Sequence, residues 1–401
     1  MGNPDKLEFD TTNFHKNEKP ASMFSEVTAS YMLKGREGLS QLIRGGKSFS
    51  LTLGEKLKQR FDVSDKSTVI NIGDGLGYNS EGLKQTLPGK LINMDLSPNL
   101  LNAQKTRNPE ISMGQANALQ LPLADHSIDL LVNNEMIADL EVTPVNSNQL
   151  QIAVNELKRI GVSAEDETAI ENILIDLEII SQIGNSNKLT LVKLCQLYLK
   201  YNLTIPQNTP EVIYINTGAI EFIEEINRVL KAGGGAWISE FGSDDPNMLS
   251  KHVKLPGHYE WSIRFHDLKK VAETLGLKCQ IVDLNDFIGI KNDEWCIERV
   301  DTSSGEADYM TFEEAHQLNP EKYNENTTYM AISDSLPTDS IPEVLALEKK
   351  GVKIRHGDPA ISALMDELSR QPHAMIKPTK PILKRLGDFT DHFKILIIEK
   401  P

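Results

Sequence analysis

Three short apolar runs, "STVINIG" (67–73), "GKLINMDLS" (89–97) and "HSIDLLVNNE" (126–135), end in polar residues or glycine and are separated by helical or turn-rich stretches. Strands this apolar are buried on both faces, as happens when helices cover a parallel sheet. The alternation predicts an α/β fold. It breaks over residues 146–212, where amphipathic patterns such as "LQIAVNELKRIG" and "LTLVKLCQLYLKYNL" contain no strand-like run and predict a helical insertion. It resumes with a helix in "GAIEFIEEINRVLKAGGG" (218–235), a strand in "AWISEFG" (236–242), a helix in "HDLKKVAETLG" (266–276) and a strand in "LKCQIVDLNDF" (277–287). The closing run "FKILIIEK" (393–400) is too apolar for a solvated tail and is expected to be an edge strand beside "CQIVDL".

These changes of texture divide the chain into five parts. They are an N-terminal extension and helical lid (1–61), the first half of an α/β core (62–145), the helical insertion (146–212), the second half of the core (213–290), and a polar C-terminal elaboration ending in a sheet strand (291–401). The first twenty residues read as extended or disordered, and helical spacing begins near residue 22. The net charge of −15 repels phosphate backbones, so nucleic acid is excluded as a partner. No run reaches the roughly eighteen apolar residues of a membrane span. Cys195, Cys279 and Cys296 lack CxxC spacing and point to a reducing, cytoplasmic setting. Nothing in the pattern speaks to oligomeric state.

The first strand leads into "VINIGDGLG" (69–77), with Gly73, Gly75 and Gly77 at alternate positions. Glycines there let the backbone turn tightly against a ligand, and a helix beginning near residues 78–80 aims its amides at the same place. The spacing is G-x-G-x-G rather than the dinucleotide G-x-G-x-x-G, which favours a smaller nucleoside ligand. Asp95 ends the second strand, where a carboxylate can accept hydrogen bonds from both hydroxyls of a ribose. It can equally be a helix cap before "SPNLLNAQK".

The next segment, "QANALQLPLADHSIDLLVNNE" (115–135), sets Asn117-Ala118, Leu121-Pro122, Asp125 and Ser127-Ile128-Asp129 in order, and "RVLKAGGG" (228–235) follows before the fifth strand. Together with the glycine loop and Asp95, these motifs resemble class I S-adenosylmethionine-dependent methyltransferases over about residues 60–140 and 215–290. The resemblance implies a Rossmann-like, seven-stranded, mostly parallel sheet with helices on both faces and an inserted helical cap. It implies S-adenosylmethionine as cofactor, with Gly73, Asp74, Gly75 and Gly77 near its methionyl part and Asp95 on the ribose. Leu96 would lie against the adenine, Asn117 and Ala118 would read its edge, and Asn133 joins the cofactor-binding set. Asn71 and Asn117 stand where the family commonly has carboxylates; an amide can still accept a hydrogen bond but carries no charge.

Methyl transfer from a sulfonium needs an aligned nucleophile in a dry pocket and, for a hydroxyl or carbon acid, help in removing a proton. Ligands bind at the carboxyl ends of parallel strands, which makes Glu135 and Asp139 candidates for catalysis, with Glu135 as base or metal ligand. The competing reading of Glu135 is a helix cap. The stretch "KHVKLPGHYEWSIRFHDL" (251–268) adds His258 as a catalytic candidate, and His258, His266 and Glu135 are candidate ligands for a divalent metal. Some polyketide-associated C-methyltransferases carry a helical insertion and such a metal, and the chain resembles them in outline. The expected acceptor is a small molecule or one bound to a carrier protein, in biosynthesis or secondary metabolism. The "NNE" strand end also resembles families that methylate protein arginine, and a degenerate cofactor-binding scaffold is the non-enzyme reading.

Overall fold

The computed structural model describes residues 11–20, 28–33, 43–179, 185–255, 257–290 and 392–401 together with 317 and 390, and the strand paths of 295–300, 307–311 and 382–385. Seven strands form the main sheet: β1 (Thr68–Ile72), β2 (Lys90–Asp95), β3 (Ser112–Gln115), β4 (Ile128–Asn134), β5 (Leu230–Ser243), β6 (Lys278–Asp283) and β7 (Phe393–Glu399). Their spatial order is β3-β2-β1-β4-β5-β7-β6, and a two-residue strand, Ile263–Arg264, adds to the end of β5. β3, β2, β1, β4 and β5 run parallel, and β7 is antiparallel to both its neighbours. The expectation of β7 as an edge strand is therefore corrected. It lies inside the sheet, with Ile397 opposite both Trp237 of β5 and Gln280 of β6, and β6 is the edge. Four consecutive buried residues, Ile395 to Ile398, explain the choice, because only an interior strand hides both faces at once.

Side chains alternate across the strands, so one core forms on each face of the sheet. Ile70, Leu131, Ile238 and Leu396 face one core, which also contains helices Thr217–Val229 and Phe265–Thr274. Val69, Leu130, Val132, Trp237 and Ile397 face the other, built on helix Phe49–Arg60. Between β4 and β5 an antiparallel pair, Thr143–Asn146 with Val212–Ile215, brackets helices Ser147–Ile160, Glu167–Asp176 and Asn185–Lys200. Their apolar stripes (Leu150, Leu157, Ile170, Leu174, Cys195, Tyr198) join the first core.

The N-terminal region is not extended throughout: Thr11–Lys16 is a helix. The helical spacing expected from residue 22 onward appears as helices Ala29–Met32 and Phe49–Arg60. The short helical patterns of the C-terminal elaboration lie outside the described residues. No described helix is long and apolar enough to cross a membrane.

Helix Phe49–Arg60 crosses helix Tyr78–Thr86, the one after the glycine loop, at a glycine on each side. A Cβ on Gly82 would fall 2.2 Å from the carbonyl carbon of Ser50, which is backbone and cannot step aside. Replacing Gly82 with Ala should separate the helices and destabilise the chain by about 1–3 kcal/mol, read as a lower urea midpoint.

Candidate active site

The turn after β1 is left-handed at Gly73, Gly75 and Gly77, with φ of +69°, +50° and +86°. Beyond that conformational demand, a Cβ on Gly73 would sit 2.6 Å from Met136 Cγ, so the loop packs directly on the chain leaving β4. Helix Tyr78–Thr86 begins immediately afterwards. Asp74 turns under the loop onto that helix, accepting hydrogen bonds from the amides of Asn79 (3.1 Å) and Ser80 (3.2 Å), the Ser80 hydroxyl and Asn93 Nδ2. An anion is favoured there by the helix dipole and the free amides of the first turn. Burial still pushes the Asp74 carboxyl up to about 6.

Asn71 belongs to the same network: its Nδ2 donates to Ser80 Oγ at 3.0 Å. Asn93 in turn donates to Gln104 Oε1 at 3.1 Å, and Gln104 Nε2 donates to Asp95 Oδ2 at 3.1 Å. One buried chain of hydrogen bonds therefore links β1, the loop, β2 and helix Pro98–Arg107. Asp95 also accepts from the Ser97 amide at 2.9 Å, and burial lifts its carboxyl to about 7. The helix cap is Ser97, whose hydroxyl accepts from Leu100 N. That leaves Asp95 at the cavity wall rather than capping the helix.

Beside the loop lies a cavity of about 330 Å³. Gly73, Gly75, Asp95, Leu96, Asn117 and Ala118 line one part. Asn117 holds its own turn, accepting from Leu119 N at 3.0 Å. The other part is rich in carboxylates: Glu18, Glu135, Asp139, Glu141, Glu240 and Glu260. Neither lysine nor arginine is among the described residues of the wall.

Glu135 leaves β4 with φ +57°, a sparsely populated conformation for a side chain of this size. Its carboxylate accepts from Ala29 N (3.0 Å) and Asn134 Nδ2 (2.8 Å), and burial raises it to about 7. It caps helix Ala29–Met32, remote in sequence, rather than the turn that follows it. Glu240 on β5 accepts from Ala138 N and Phe241 N, and burial with Glu260 and Glu135 nearby pushes it well above the ordinary range. Helix Thr11–Lys16 brings His15 to this wall, with Nδ1 2.9 Å from Glu18 Oε2 and Nε2 3.2 Å from Asp139 Oδ1. Burial opposes a charge on His15, but Asp139 and Glu18 outweigh it and lift the imidazole to about 11. His258 Nε2 lies 3.7 Å from the same Asp139 oxygen and 3.9 Å from Glu260 Oε1. Phe14 stacks on the His258 ring at 4.5 Å between centroids.

Residues 70–161 match a family model described as a methyltransferase domain. The matched segment is similar to a methyltransferase domain, and the seven-stranded sheet around it has the α/β architecture expected from the sequence. An uncharacterized methyltransferase of Schizosaccharomyces pombe is 29% identical over 77 residues, a stretch that is 19% of this chain and 31% of the relative. The chain thus spans less than a third of that curated relative. Among solved structures, the YcgJ protein from Bacillus subtilis aligns over 88% of this chain and 98% of its own, at 12% identity and TM-score 0.35. Phosphoethanolamine N-methyltransferase 2 from Haemonchus contortus, solved with S-adenosyl-L-methionine, aligns over 98% of this chain and 60% of its own, at 10% identity and TM-score 0.39.

The structure sorts the residues named from sequence. Gly73, Gly75, Asp95, Leu96, Asn117, Ala118, Glu135 and Asp139 reach the cavity wall, and His258 lies buried behind Asp139. Asp74 and Gly77 sit under the loop, and Asn133 turns away to donate to the Ile72 carbonyl at 2.9 Å, so these three support the wall rather than form it. The expected metal trio does not assemble. His266 is half-buried beside Arg264, Lys269 and Lys270, and Glu135 Oε1 accepts from Ala29 N and Asn134 Nδ2. The donor atoms that do converge are those of His15, Asp139 and His258, within 4.8 Å of one another. Glu260 belongs to the same 251–268 stretch that offered His258, whereas sequence reading missed His15, Glu18 and Glu240, which carry no local motif.

Asn71 follows from Asp74. A second carboxylate there would share one dry network with the first, and like charges in low dielectric are costly. Asn71→Asp should therefore raise the proton affinity of the pair in the folded state above its unfolded value. Stability would be least affected near pH 5 and lost as pH rises, with a penalty of about 1–3 kcal/mol at pH 8. Urea denaturation of variant and parent at the two pH values checks this.

Proposed function

We propose that the chain transfers the methyl group of S-adenosylmethionine to a small acceptor, free or borne on a carrier, as a biosynthetic step. The observation that carries this reading is the continuity of the cavity from the glycine loop and Asp95 to the carboxylate wall. Its acceptor side is walled by Thr12, His15 and Glu18 of the N-terminal segment, which suits a small molecule better than a protein side chain. Asp95 would take the ribose hydroxyls, Leu96, Asn117 and Ala118 the adenine, and Gly73 and Gly75 the methionyl end.

The reaction is an in-line displacement. A lone pair or carbanion of the acceptor attacks the methyl carbon, the carbon–sulfur bond breaks, and its electron pair stays on sulfur as neutral S-adenosylhomocysteine. Positive charge on sulfur disappears in that step, so a site that excludes water favours it. The proton lost by the acceptor goes to a base, and Glu135 has the position and the proton affinity for it: about 7, matched to neutral conditions. Glu135→Gln should lower kcat by about 10²–10⁴-fold and abolish the rise of kcat through neutral pH. Transfer of a labelled methyl group to a panel of small acceptors measures both.

Cofactor affinity has its own pH signature. Asp95 accepts ribose hydroxyls when ionised, and burial holds it at about 7 without cofactor. Affinity should rise by about tenfold between pH 6 and pH 8, and Asp95→Asn should bind weakly at both values. Calorimetry with S-adenosylmethionine and S-adenosylhomocysteine tests this, and no binding at millimolar cofactor would refute the reading.

A further inference from the structure

His15 Nε2, Asp139 Oδ1 and a His258 ring nitrogen come from three distant stretches of chain and converge at the acceptor end of the cavity. Ligand atoms about 2.0–2.1 Å from one cation, at angles between octahedral and tetrahedral, lie about 2.8–3.4 Å apart. The separations of 3.2 Å and 3.7 Å from Asp139 Oδ1 to the two imidazoles sit close to that range. His15 is already oriented as a ligand. Its Nδ1 is 2.9 Å from Glu18 Oε2, a carboxylate that can hold the ring with Nε2 toward Asp139. A cation bound between Nε2 and Asp139 Oδ1 would take the place of the proton that now sits there. Carboxylates dominate the described wall, and no lysine or arginine there supplies the positive charge.

We propose that His15, Asp139 and His258 form a divalent-cation site, with Glu18 as the carboxylate that orients His15. Two imidazoles and one carboxylate favour ions of the zinc, manganese and iron type over calcium or magnesium. Three protein ligands leave coordination positions open, and Asp139 lines the cavity, so these positions face the acceptor. Resting on the methyl-transfer reading, this names the acceptor class: a molecule presenting a hydroxyl or enolisable carbonyl oxygen to the cation, whose bound charge makes the neighbouring proton easier to remove.

The test uses the full chain after treatment with chelator. Mn²⁺ is titrated in while the electron paramagnetic resonance signal of the free ion is followed, and Zn²⁺ binding is measured by calorimetry. S-adenosylhomocysteine affinity is measured separately on the same preparation. One ion should bind per chain, with affinity lowered at least about tenfold in His15→Ala and in Asp139→Asn and by about tenfold in Glu18→Gln, all three unfolding cooperatively. A chain that binds S-adenosylhomocysteine but neither ion at millimolar metal would overturn the proposal and leave the methyltransferase reading standing; the His15–Asp139 gap would then be closed by a proton. Equal metal affinity in parent and variants would also overturn it, because the ion would lie elsewhere. A chain that binds the ion at these residues but not the cofactor would keep the site and discard the methyl-transfer reading.

Discussion

A buried carboxylate must be solvated by the protein, and Asp74 shows how much structure that requires. Two amides of a helix N-terminus, a serine hydroxyl and an asparagine amide converge on it. Those partners belong to the helix after the loop and to β2, so the charge ties together the elements that shape the glycine-loop end of the cavity. Through Asn93 and Gln104 the network reaches Asp95, placing a second carboxylate at the cavity wall. Truncating Asp74 would leave the Asn79 and Ser80 amides without their acceptor, the costly side of the hydrogen-bond balance. The position of the loop follows from that requirement more than from glycine flexibility alone.

The acceptor end follows the opposite logic. There the carboxylates crowd one another, and Glu135, Glu240 and Glu260 are raised above the ordinary carboxylate range because burial and neighbouring carboxylates disfavour their charged forms. Such a wall suits a cationic cofactor and resists anionic guests. The same crowding leaves it open to a positive ion, and His15 and His258 lie within reach of it. The two ends are thus tuned separately, one by hydrogen bonds to backbone amides and the other by charge density.

What could be read from the sequence divides along the same line. The glycine loop, Asp95, Asn117-Ala118 and Glu135 are legible because each is fixed by its own strand end and the few residues after it. His15 is not: its helix is short, and its partner Asp139 is more than a hundred residues away. Glu240 looks like an ordinary strand residue until the sheet brings it to the cavity. His266 was attractive by proximity in sequence to His258, yet it sits on a helix that turns it toward basic neighbours. The place of β7 was half legible. Its apolar run announces a sheet strand, but the choice between edge and interior depends on β5 and β6, which local pattern does not specify.

The interior position of β7 has a consequence for how the chain assembles. β5 and β6 share no hydrogen bonds; they meet only through a strand that begins 110 residues after β6 ends (393 − 283). Loop-closure entropy grows as the logarithm of length, roughly 4 kcal/mol for a gap of this size and only about 0.6 kcal/mol for each doubling. The long intervening segment therefore costs little at equilibrium. Its cost is kinetic, because pairing across such a separation is slow. Until β7 arrives, β5 has an open flank and β6 has no strand to pair with, although helix Phe265–Thr274 packs on both, which makes the β5–β7–β6 seam the natural last step of folding and the first place where the sheet can part.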